Sequence, residues 1–264
     1  MDIIVCVKHV PDTTEAEIAI RDDEGQLGWH GIKKEGLVFD ISEADNYAVE
    51  EALLLKEEFD GAVTVLTVGL EGADETLRMC LAKGTDKAVR LTDEVFEGSD
   101  SFAIARILSE AIKDMDYGLV LTGVQADDDG AAQVGVTLAE MLGIPHAALV
   151  VGLQEEEGKV RVNRELEAGI LESYTIELPA LLTIQTGINR PRYISLGGIK
   201  RAMKKELQVM SPDELGLTVE MLAPQVKLER LEFPPRGKEA VLIPGPSEES
   251  AEQLTRILQN AGIF

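Results

Sequence analysis

The segment Leu119–Gly135 constrains the fold of this chain more than any other. An apolar run typical of a strand, Leu119–Leu121, leads into a turn of small and acidic residues, and a helical pattern follows from about Ala131 to Leu142. This order places backbone N–H groups at the carboxyl edge of a sheet, where they can hold a phosphate or an adenine ribose without a basic side chain. The segment therefore predicts a nucleotide-binding turn.

The chain before this segment repeats the alternation of strand and helix. Strand patterns occur at Ile3–Val7, Ala62–Val68 and Ala88–Leu91. Three helical patterns alternate with them: the first begins at its N-cap, Ser42, the second covers Glu75–Lys83, and the third extends from Ser99 or Asp100 to Ile112. Short links between them predict an α/β fold with a doubly wound, mostly parallel sheet. Because ligands of such sheets lie outside the carboxyl ends of the strands, the turns after Val7, Val68 and Leu121 are expected to share one site.

The pattern changes after Pro145. Apolar and polar residues alternate within Lys159–Leu166 and within Leu171–Leu178, and Ala180–Ile184 is apolar throughout. These patterns predict antiparallel strands added at the sheet edge. An irregular excursion is expected at Asp22–Gly36. From Thr186 the chain is loop-like, and a final amphipathic helix at about Glu248–Leu258 follows a proline-containing stretch. We expect this last part to be an arm that packs on something else.

Composition narrows the classes of partner. The chain has 25 Lys+Arg against 48 Asp+Glu, a formal charge of −23, and 4% aromatic residues, so nucleic acid is not an expected ligand. Its start is too short and too acidic for a signal peptide, and no apolar run reaches membrane-spanning length, so a cytoplasmic protein is expected. Cys6 and Cys80 are interpreted as buried hydrophobes in a reducing compartment.

The acidic triplet Asp127–Asp129 invites a metal-site hypothesis. Consecutive acids do not face one point, however, and the spacing of a calcium loop is missing, so helix capping is expected and no metal site is predicted. Gly130, Ala131 and Ala132 are small enough for a ligand to approach the backbone, and Gln133 can hydrogen-bond a ribose or base.

The sequence contains no set of residues with the spacing of a known catalytic site. The histidines (His9, His30, His146) lack ligand spacing, and neither a Rossmann glycine fingerprint nor a P-loop is present. Lys8, after the first strand, could meet a phosphate or remain solvated. The segment 187–205 carries Lys200, Arg201, Lys204 and Lys205 and is either a docking surface or an ordinary loop whose lysines balance local acids.

Four segments together resemble the β subunit of electron-transfer flavoproteins, in order over nearly the whole chain: Val5–Thr13, Ala48–Ala52, Gly123–Gly135, and Asn189–Tyr193 with Lys200–Lys205. The resemblance implies a Rossmann-like, adenine-nucleotide-binding domain over 1–186 and a heterodimer with an α subunit. Residues 187–264 would supply a recognition loop and a C-terminal arm that packs on that subunit. Such a subunit carries electrons and is not an enzyme by itself. FAD lies mainly in the α subunit, and the β subunit holds AMP or, in bifurcating members, a second FAD.

The resemblance also implies site residues. The cofactor-binding set is Cys6, Ser42, Asp45, Val68, Gly123, Gln125, Ala126, Asp127, Asp128, Asp129, Gly130, Ala131, Ala132, Gln133 and Val134. Leu196 would anchor the recognition loop, with Arg192, Tyr193 and Lys200 beside it. Expected partners are flavin-containing dehydrogenases such as acyl-CoA dehydrogenases, with a quinone-linked or other redox acceptor downstream.

Two departures leave the branch of the family open. AMP-binding relatives usually have an aromatic residue after the first strand and Asn-Gln-Thr in the loop, whereas this chain has Pro11–Thr13 and Ala132–Val134. Both changes resemble the bifurcating or low-potential branch, although that branch's loop is matched incompletely.

The alternative hypothesis is a nucleotide-sensing regulatory protein of universal-stress type, a class that shares the α/β plan but lacks the edge strands, the basic loop and the C-terminal arm. An adenylating enzyme would need a pyrophosphate-binding loop that this sequence lacks.

Overall fold

Nine strands form one sheet in the first of two compact units, Met1–Arg230, of the computed structural model. The structure describes residues 1–12, 20, 36–156, 158–229, 231–233, 237 and 240–263. The excursion predicted for Asp22–Gly36 lies outside these residues except for Gly36, and His30 and Thr13 lie outside them as well.

The strands and helices follow the predicted alternation closely. The strands are β1 (Ile3–Cys6), β2 (His9–Pro11), β3 (Phe39–Ile41), β4 (Val63–Val68), β5 (Lys87–Leu91), β6 (Leu119–Gly123), β7 (His146–Glu156), β8 (Lys159–Glu165), β9 (Leu171–Glu177), β10 (Ala180–Ile184) and β11 (Leu207–Met210). The helices are α1 (Glu43–Phe59), α2 (Asp74–Lys83), α3 (Ser101–Ile112), α4 (Val134–Leu142), α5 (Leu196–Ala202), α6 (Pro212–Leu215) and α7 (Ser247–Asn260).

The sheet order is β11-β5-β4-β1-β6-β10-β7-β8-β9, and β2 pairs with β3 separately. Neighbours from β11 to β7 are parallel, whereas β8 and β9 are antiparallel additions. The prediction of a doubly wound, mostly parallel sheet with antiparallel edge strands is confirmed.

The prediction for Ala180–Ile184 was wrong in one respect. This strand, β10, is parallel and lies inside the sheet between β6 and β7 instead of at its edge. All five of its residues are buried because α1 and α4 both contact it. Its uninterrupted apolar run is the pattern of a strand covered on both faces.

Two apolar clusters lie on opposite faces of the sheet. Along β1, Ile3 and Val5 join the cluster formed with α1 and α2, whereas Ile4 and Cys6 join the cluster formed with α3 and α4. Both cysteines are buried and free, as predicted, and burial raises the pKa of Cys80 to about 12. The thiols therefore act as small hydrophobic groups.

Two helix starts differ in how well the sequence located them. Asp100 is the N-cap of α3 and accepts a hydrogen bond from the Ala103 N–H at 2.9 Å, which decides between the predicted alternatives. Helix α4 begins at Val134, three residues after the predicted start at Ala131. The reason is that Ala132 has a left-handed backbone, φ 55°, which a helix cannot include.

Residues after Thr186 add further elements to the first unit. Helix α5 packs against α2, and β11, which the sequence analysis did not identify, pairs with β5. The second unit, Leu231–Phe264, contains α7, none of whose residues is buried. The functional division placed at residue 187 stays a prediction. Among the described residues, no helix is both long and apolar enough to span a bilayer.

Candidate functional site

The carboxyl ends of β1 and β6 are joined by the side chain of Asp45, from the first turn of α1. Its Oδ2 accepts a hydrogen bond from the Lys8 N–H at 2.8 Å, and its Oδ1 accepts one from the Gly123 N–H at 2.7 Å. The strands are direct neighbours, with Val5 opposite Leu121. One buried carboxylate therefore sets where both strands end and where the loop after β6 begins.

Burial dominates the electrostatics of this carboxyl. It raises the pKa of Asp45 from an ordinary value of 3.8 to about 7. The hydrogen bonds from Gly123 and Lys8 and the Lys8 ammonium oppose the shift, whereas the Asp127 carboxylate adds to it. Asp45 thus titrates close to neutral pH.

Two glycines allow close packing around the loop. A Cβ at Gly123 would lie 2.6 Å from Oδ1 of Asp45, and a Cβ at Gly135 would lie 2.6 Å from Oγ1 of Thr122 and 2.7 Å from Cγ2 of Thr183. The first turn of α4 therefore rests directly on β6 and β10. The sequence analysis did not assign this packing role to Gly135.

Asp127 attaches the loop to the start of α1. Its Oδ2 accepts a hydrogen bond from the Glu43 N–H at 2.7 Å, and its own N–H donates to Oγ of Ser42 at 3.2 Å. The sequence predicts a helix-capping role for the acidic triplet, and Asp127 caps the first turn of α1. The N-cap of α4, Gln133, makes no side-chain capping bond.

The other two acids of the triplet hold Lys8. Its Nζ lies 2.8 Å from carboxylate oxygens of both Asp128 and Asp129, and the Asp128 side chain is 1% exposed. Burial raises the pKa of Asp128, against the effect of the Lys8 ammonium. Lys8, whose side chain is 36% exposed, is therefore an ion-pair partner of the loop in this structure. In the part of the chain that is described, no group of three metal-binding side chains converges.

Between the triplet and α4 the backbone has the geometry of a nest, a turn whose N–H groups converge. Ala132 is left-handed, with φ 55°, and Gln133 is right-handed, with φ −112° and ψ −31°. Successive residues of opposite hand turn their N–H groups toward a common point. The N–H groups of Ala132, Gln133 and Val134 donate to no acceptor among the described residues. They lie at the positive end of α4.

The other loop residues that were predicted to bind the cofactor lie next to this nest. Gln125 is exposed, Ala126 accepts a hydrogen bond from the Gly130 N–H at 3.0 Å, and Ala131 donates to Oδ1 of Asp129. Gly130 is also left-handed, with φ 57°, and nothing lies within 4 Å of where its Cβ would be. The loop surface is therefore open at Gly130, as a ligand approaching the backbone would require.

Two predicted residues do not present their side chains here. Cys6 packs into the core cluster beside α3 and α4, and Val68 packs against the same cluster. Burial, followed by the Asp45 charge, raises the pKa of the Cys6 thiol. Any contribution of Cys6 or Val68 to a ligand must come from the backbone at the strand ends.

The segment that follows β10 is fastened to α1 by buried acids, a feature the sequence analysis missed. The guanidinium of Arg192 donates to both oxygens of Glu50 at 2.9 Å and to Glu57 at 2.7 Å. Asn189 donates to Oε2 of Glu51 at 2.7 Å. Glu50 and Glu51 are buried, so these partners compensate carboxylates that α1 carries inside the fold.

Beyond Arg192 the segment turns to the surface. Tyr193 is 93% exposed and Leu196 is 81% exposed, at the start of α5, where Ser195 caps the helix by accepting from the Gly198 N–H at 3.0 Å. Lys200 is also exposed. Three of the four predicted docking residues therefore lie at the surface, whereas Arg192 is turned toward α1.

The electron transfer flavoprotein domain family matches residues 31–215 of this chain. The chain is also 39% identical to the electron transfer flavoprotein subunit beta of Methylophilus methylotrophus, over 98% of both chains. It belongs to the electron transfer flavoprotein β-subunit family. The corresponding subunit of Bacillus subtilis is 35% identical over 98% of both chains. The caffeyl-CoA reductase-Etf complex subunit CarD of Acetobacterium woodii is 38% identical, over 83% of this chain and 82% of CarD.

As an electron transfer flavoprotein β subunit, the chain is an electron-transfer subunit and not a catalyst by itself. The resemblance drawn from its motifs is thereby confirmed, and we set aside the nucleotide-sensing alternative. The matched region contains the Ser42–Asp45 turn, the Gly123–Val134 loop and the Arg192–Lys200 segment. The two parts of the candidate site, the nest and the exposed segment, thus both lie within the family domain.

Proposed function

We propose that this β subunit binds an adenine nucleotide, AMP or a second FAD, at the carboxyl edge of β1 and β6. We also propose that it works as a heterodimer with an α subunit, which holds the main FAD. The observation that carries the first proposal is the nest of N–H groups at Ala132, Gln133 and Val134. The set fits a phosphate because it offers only donors at a helix N-terminus.

Local electrostatics supports the same placement. The chain carries a formal charge of −23, so a phosphate would be repelled from most of its surface. Around the loop, however, the Lys8 ammonium offsets part of the charge of Asp128 and Asp129, and the carboxylate of Asp127 accepts a hydrogen bond at the positive end of α1. A flavin bound here would supply electron transfer, whereas AMP would serve as a structural ligand.

The exposed segment supports a docking role. Tyr193, Leu196, Ile199 and Met203 form an exposed apolar stripe on α5 and the residues before it, and Lys200 and Lys204 flank it. Such a patch suits a partner that offers an apolar pocket with acidic residues at its rim. We propose flavin-containing dehydrogenases, such as acyl-CoA dehydrogenases, as these partners, with a quinone-linked or other acceptor downstream. A relative from Anaerotignum propionicum, 34% identical, is the acryloyl-CoA reductase electron transfer subunit gamma.

The C-terminal unit has the features of a segment that contacts another subunit. Helix α7 has no buried residue, and Leu254 and Ile257 are both 46% exposed on one face. An amphipathic helix with an uncovered apolar face is typical of a segment that packs on another chain. We propose that residues 187–264 supply the recognition loop, which docks the dehydrogenase, and this arm, which packs on the α subunit.

The decisive experiment is the nucleotide content of the purified heterodimer. One FAD and one AMP per heterodimer would indicate the ordinary carrier, and two FAD without AMP would indicate the bifurcating type. One FAD with no further adenine nucleotide in freshly purified complex would contradict the proposed site. The variants at Ala132 described below then assign the nucleotide to the nest.

A further inference from the structure

The buried carboxylate of Asp45 contacts the loop of the proposed site through the backbone. Both of its oxygens accept backbone N–H groups, one from Lys8 after β1 and one from Gly123 at the end of β6. A buried carboxylate is costly unless it is paired or hydrogen-bonded, and the raised pKa of Asp45 shows that part of this cost remains. Ionisable groups held at such a cost are concentrated at functional sites.

The Gly123–Gly135 loop is fixed at several places. Gly123 is held by Asp45 and Asp127 by Ser42 and Glu43, so both of these contacts lead to the first turn of α1. Asp128 and Asp129 are held by Lys8, whose own backbone N–H donates to Asp45. The nest at 132–134 follows these contacts and precedes Gly135, which rests on Thr122 and Thr183, so its position depends in part on how Asp45 holds Gly123 and Lys8.

We propose that Asp45 is a positioning residue for the nucleotide site, which fixes the start of the Gly123–Gly135 loop against β1 and so sets the direction of the nest. The inference rests on the proposed nucleotide function. It assigns to Asp45 a role through the backbone and no contact with the ligand.

This geometry depends on protonation. The arrangement needs two acceptor oxygens, and a protonated carboxyl has one O–H that faces an N–H donor, so one of the two hydrogen bonds is lost. The groups that face Asp45 are the Lys8 ammonium, the Asp127 carboxylate and the thiols of Cys6 and Cys80. Burial raises the pKa of both thiols, so they stay neutral near pH 7. Asp45 is therefore the group here that changes charge as the pH falls through about 7.

The test measures nucleotide affinity against pH. AMP, or FAD where the isolated complex holds two flavins, is titrated into the nucleotide-depleted heterodimer between pH 5.5 and 8.5 for the wild type and Asp45→Asn. We expect wild-type affinity to fall about tenfold below pH 7, the cost of one mispaired buried hydrogen bond. Asp45→Asn offers one acceptor at every pH, so it should bind about tenfold more weakly at pH 8 and lack this transition. Protonation of the AMP phosphate, near pH 6, affects both proteins alike, and the pyrophosphate of FAD has no ionisation in this range.

Asp86→Asn is the matched control. Asp86 accepts a hydrogen bond from the Val63 N–H at 2.8 Å, at the amino end of β4, on the opposite edge of the sheet. Its pH profile for nucleotide binding should match that of the wild type. The Gly123 amide resonance in ¹⁵N-glycine-labelled wild type gives a readout that needs no variant, and it should shift with a midpoint near pH 7.

The outcomes separate the two proposals. Wild-type binding that is equally tight at pH 6 and pH 8 after correction for the ligand, or a Gly123 resonance that does not titrate, would overturn the role of Asp45 and leave the site in place. Wild-type affinity in Asp45→Asn at pH 8 would do the same. Failure of the wild type to bind either nucleotide at any pH would overturn the proposed function together with this inference.

Discussion

The carboxylate of Asp127 accepts a hydrogen bond from the Glu43 N–H at 2.7 Å, although 84 residues separate them in the chain. An acid of the Gly123–Gly135 loop thus caps α1, the helix that also supplies Asp45. The positive end of α1 is satisfied by the protein's own carboxylate. At the positive end of α4 the N-cap residue, Gln133, makes no side-chain capping bond, and this is the end at which we propose a ligand.

This cap predicts different effects for two substitutions of Asp127. Asp127→Ala should lower the free energy of unfolding by about 1 kcal/mol, the usual cost of losing an N-cap acceptor. Asp127→Asn keeps an oxygen that can accept the Glu43 N–H, so it should cost less than half as much. Urea denaturation of the full chain measures both. Equal losses in the two variants would show that charge, and not the hydrogen bond, is what matters.

Ala132 tests the nest. Its left-handed backbone is strained for any residue with a Cβ and most strained for a β-branched one. Ala132→Val should therefore shift the backbone out of this conformation and lower nucleotide occupancy at least tenfold, whereas Ala132→Gly should preserve occupancy and relieve strain of about 1 kcal/mol. Nucleotide released on denaturation of the purified heterodimer gives the occupancy. Full occupancy in Ala132→Val would contradict the placement of the ligand at the nest.

The ion pair between Arg192 and Glu50 predicts a loss of stability. Removing one partner of a pair leaves a buried carboxylate uncompensated, and because Arg192 is partly exposed we expect Arg192→Ala to cost about 2 kcal/mol, below the range for a fully buried pair. Glu50→Gln added to Arg192→Ala should recover part of this loss. Thermal unfolding of the single and double variants measures both effects.

Arg190→Ala is the control for this pair, since Arg190 is exposed and precedes Arg192 by two residues. It should change stability by less than about 0.5 kcal/mol, as surface substitutions usually do. If Arg192→Ala proved equally neutral, the pair would contribute only to local order.

Leu196 tests the docking surface. Truncating an apolar anchor at the centre of an interface typically costs about 2 kcal/mol or more, so Leu196→Ala should weaken docking with the partner dehydrogenase roughly thirtyfold or more. Bound nucleotide should remain unchanged, because Leu196 contributes nothing to the loop. Stopped-flow electron exchange with the physiological dehydrogenase provides the measurement. Val209→Ala, on the edge strand β11 and 44% exposed, should exchange electrons at the wild-type rate.

The raised pKa of Asp45 predicts how the free energy of unfolding depends on pH. Its pKa in the folded chain, about 7, lies above the ordinary value of 3.8, so the folded state holds this proton more tightly than the unfolded state. The group's contribution to stability is therefore greatest below about pH 4, declines as the pH rises from 4 to 7, and is constant above 7. Compared with the wild type, Asp45→Asn should gain in melting temperature as the pH rises through this window. A constant difference in melting temperature across the window would mean that Asp45 is already ionised at pH 4.

Much of the fold could be predicted because its signals are local. The period of apolar residues locates β1, β4, β5 and β6 to within a residue or two, and the helical pattern at Glu75–Lys83 matches α2 to within one residue. The parallel order follows from alternating strands and helices with short links. The turns after Val7, Val68 and Leu121 could therefore be assigned to one edge of the sheet from the sequence alone.

The parts that could not be predicted depend on partners far apart in the chain. Arg192 and Glu50 are 142 residues apart, and nothing in either local pattern indicates that one compensates the other. The same holds for β10, whose position between β6 and β7 is decided by which helices cover it. Hydrophobic periodicity says that a strand is buried on both faces, but it does not name its neighbours.

The segment Leu119–Gly135 shows the division most clearly. By itself the sequence determined that a buried strand is followed by a turn of small residues and a helix, because each of these depends on neighbours within a few residues. Tertiary structure decided that Asp127 caps α1, that Ala132 is left-handed and delays α4 until Val134, and that Asp45 holds Gly123. Burial and hydrogen bonding between distant residues set these features, and no local pattern encodes them.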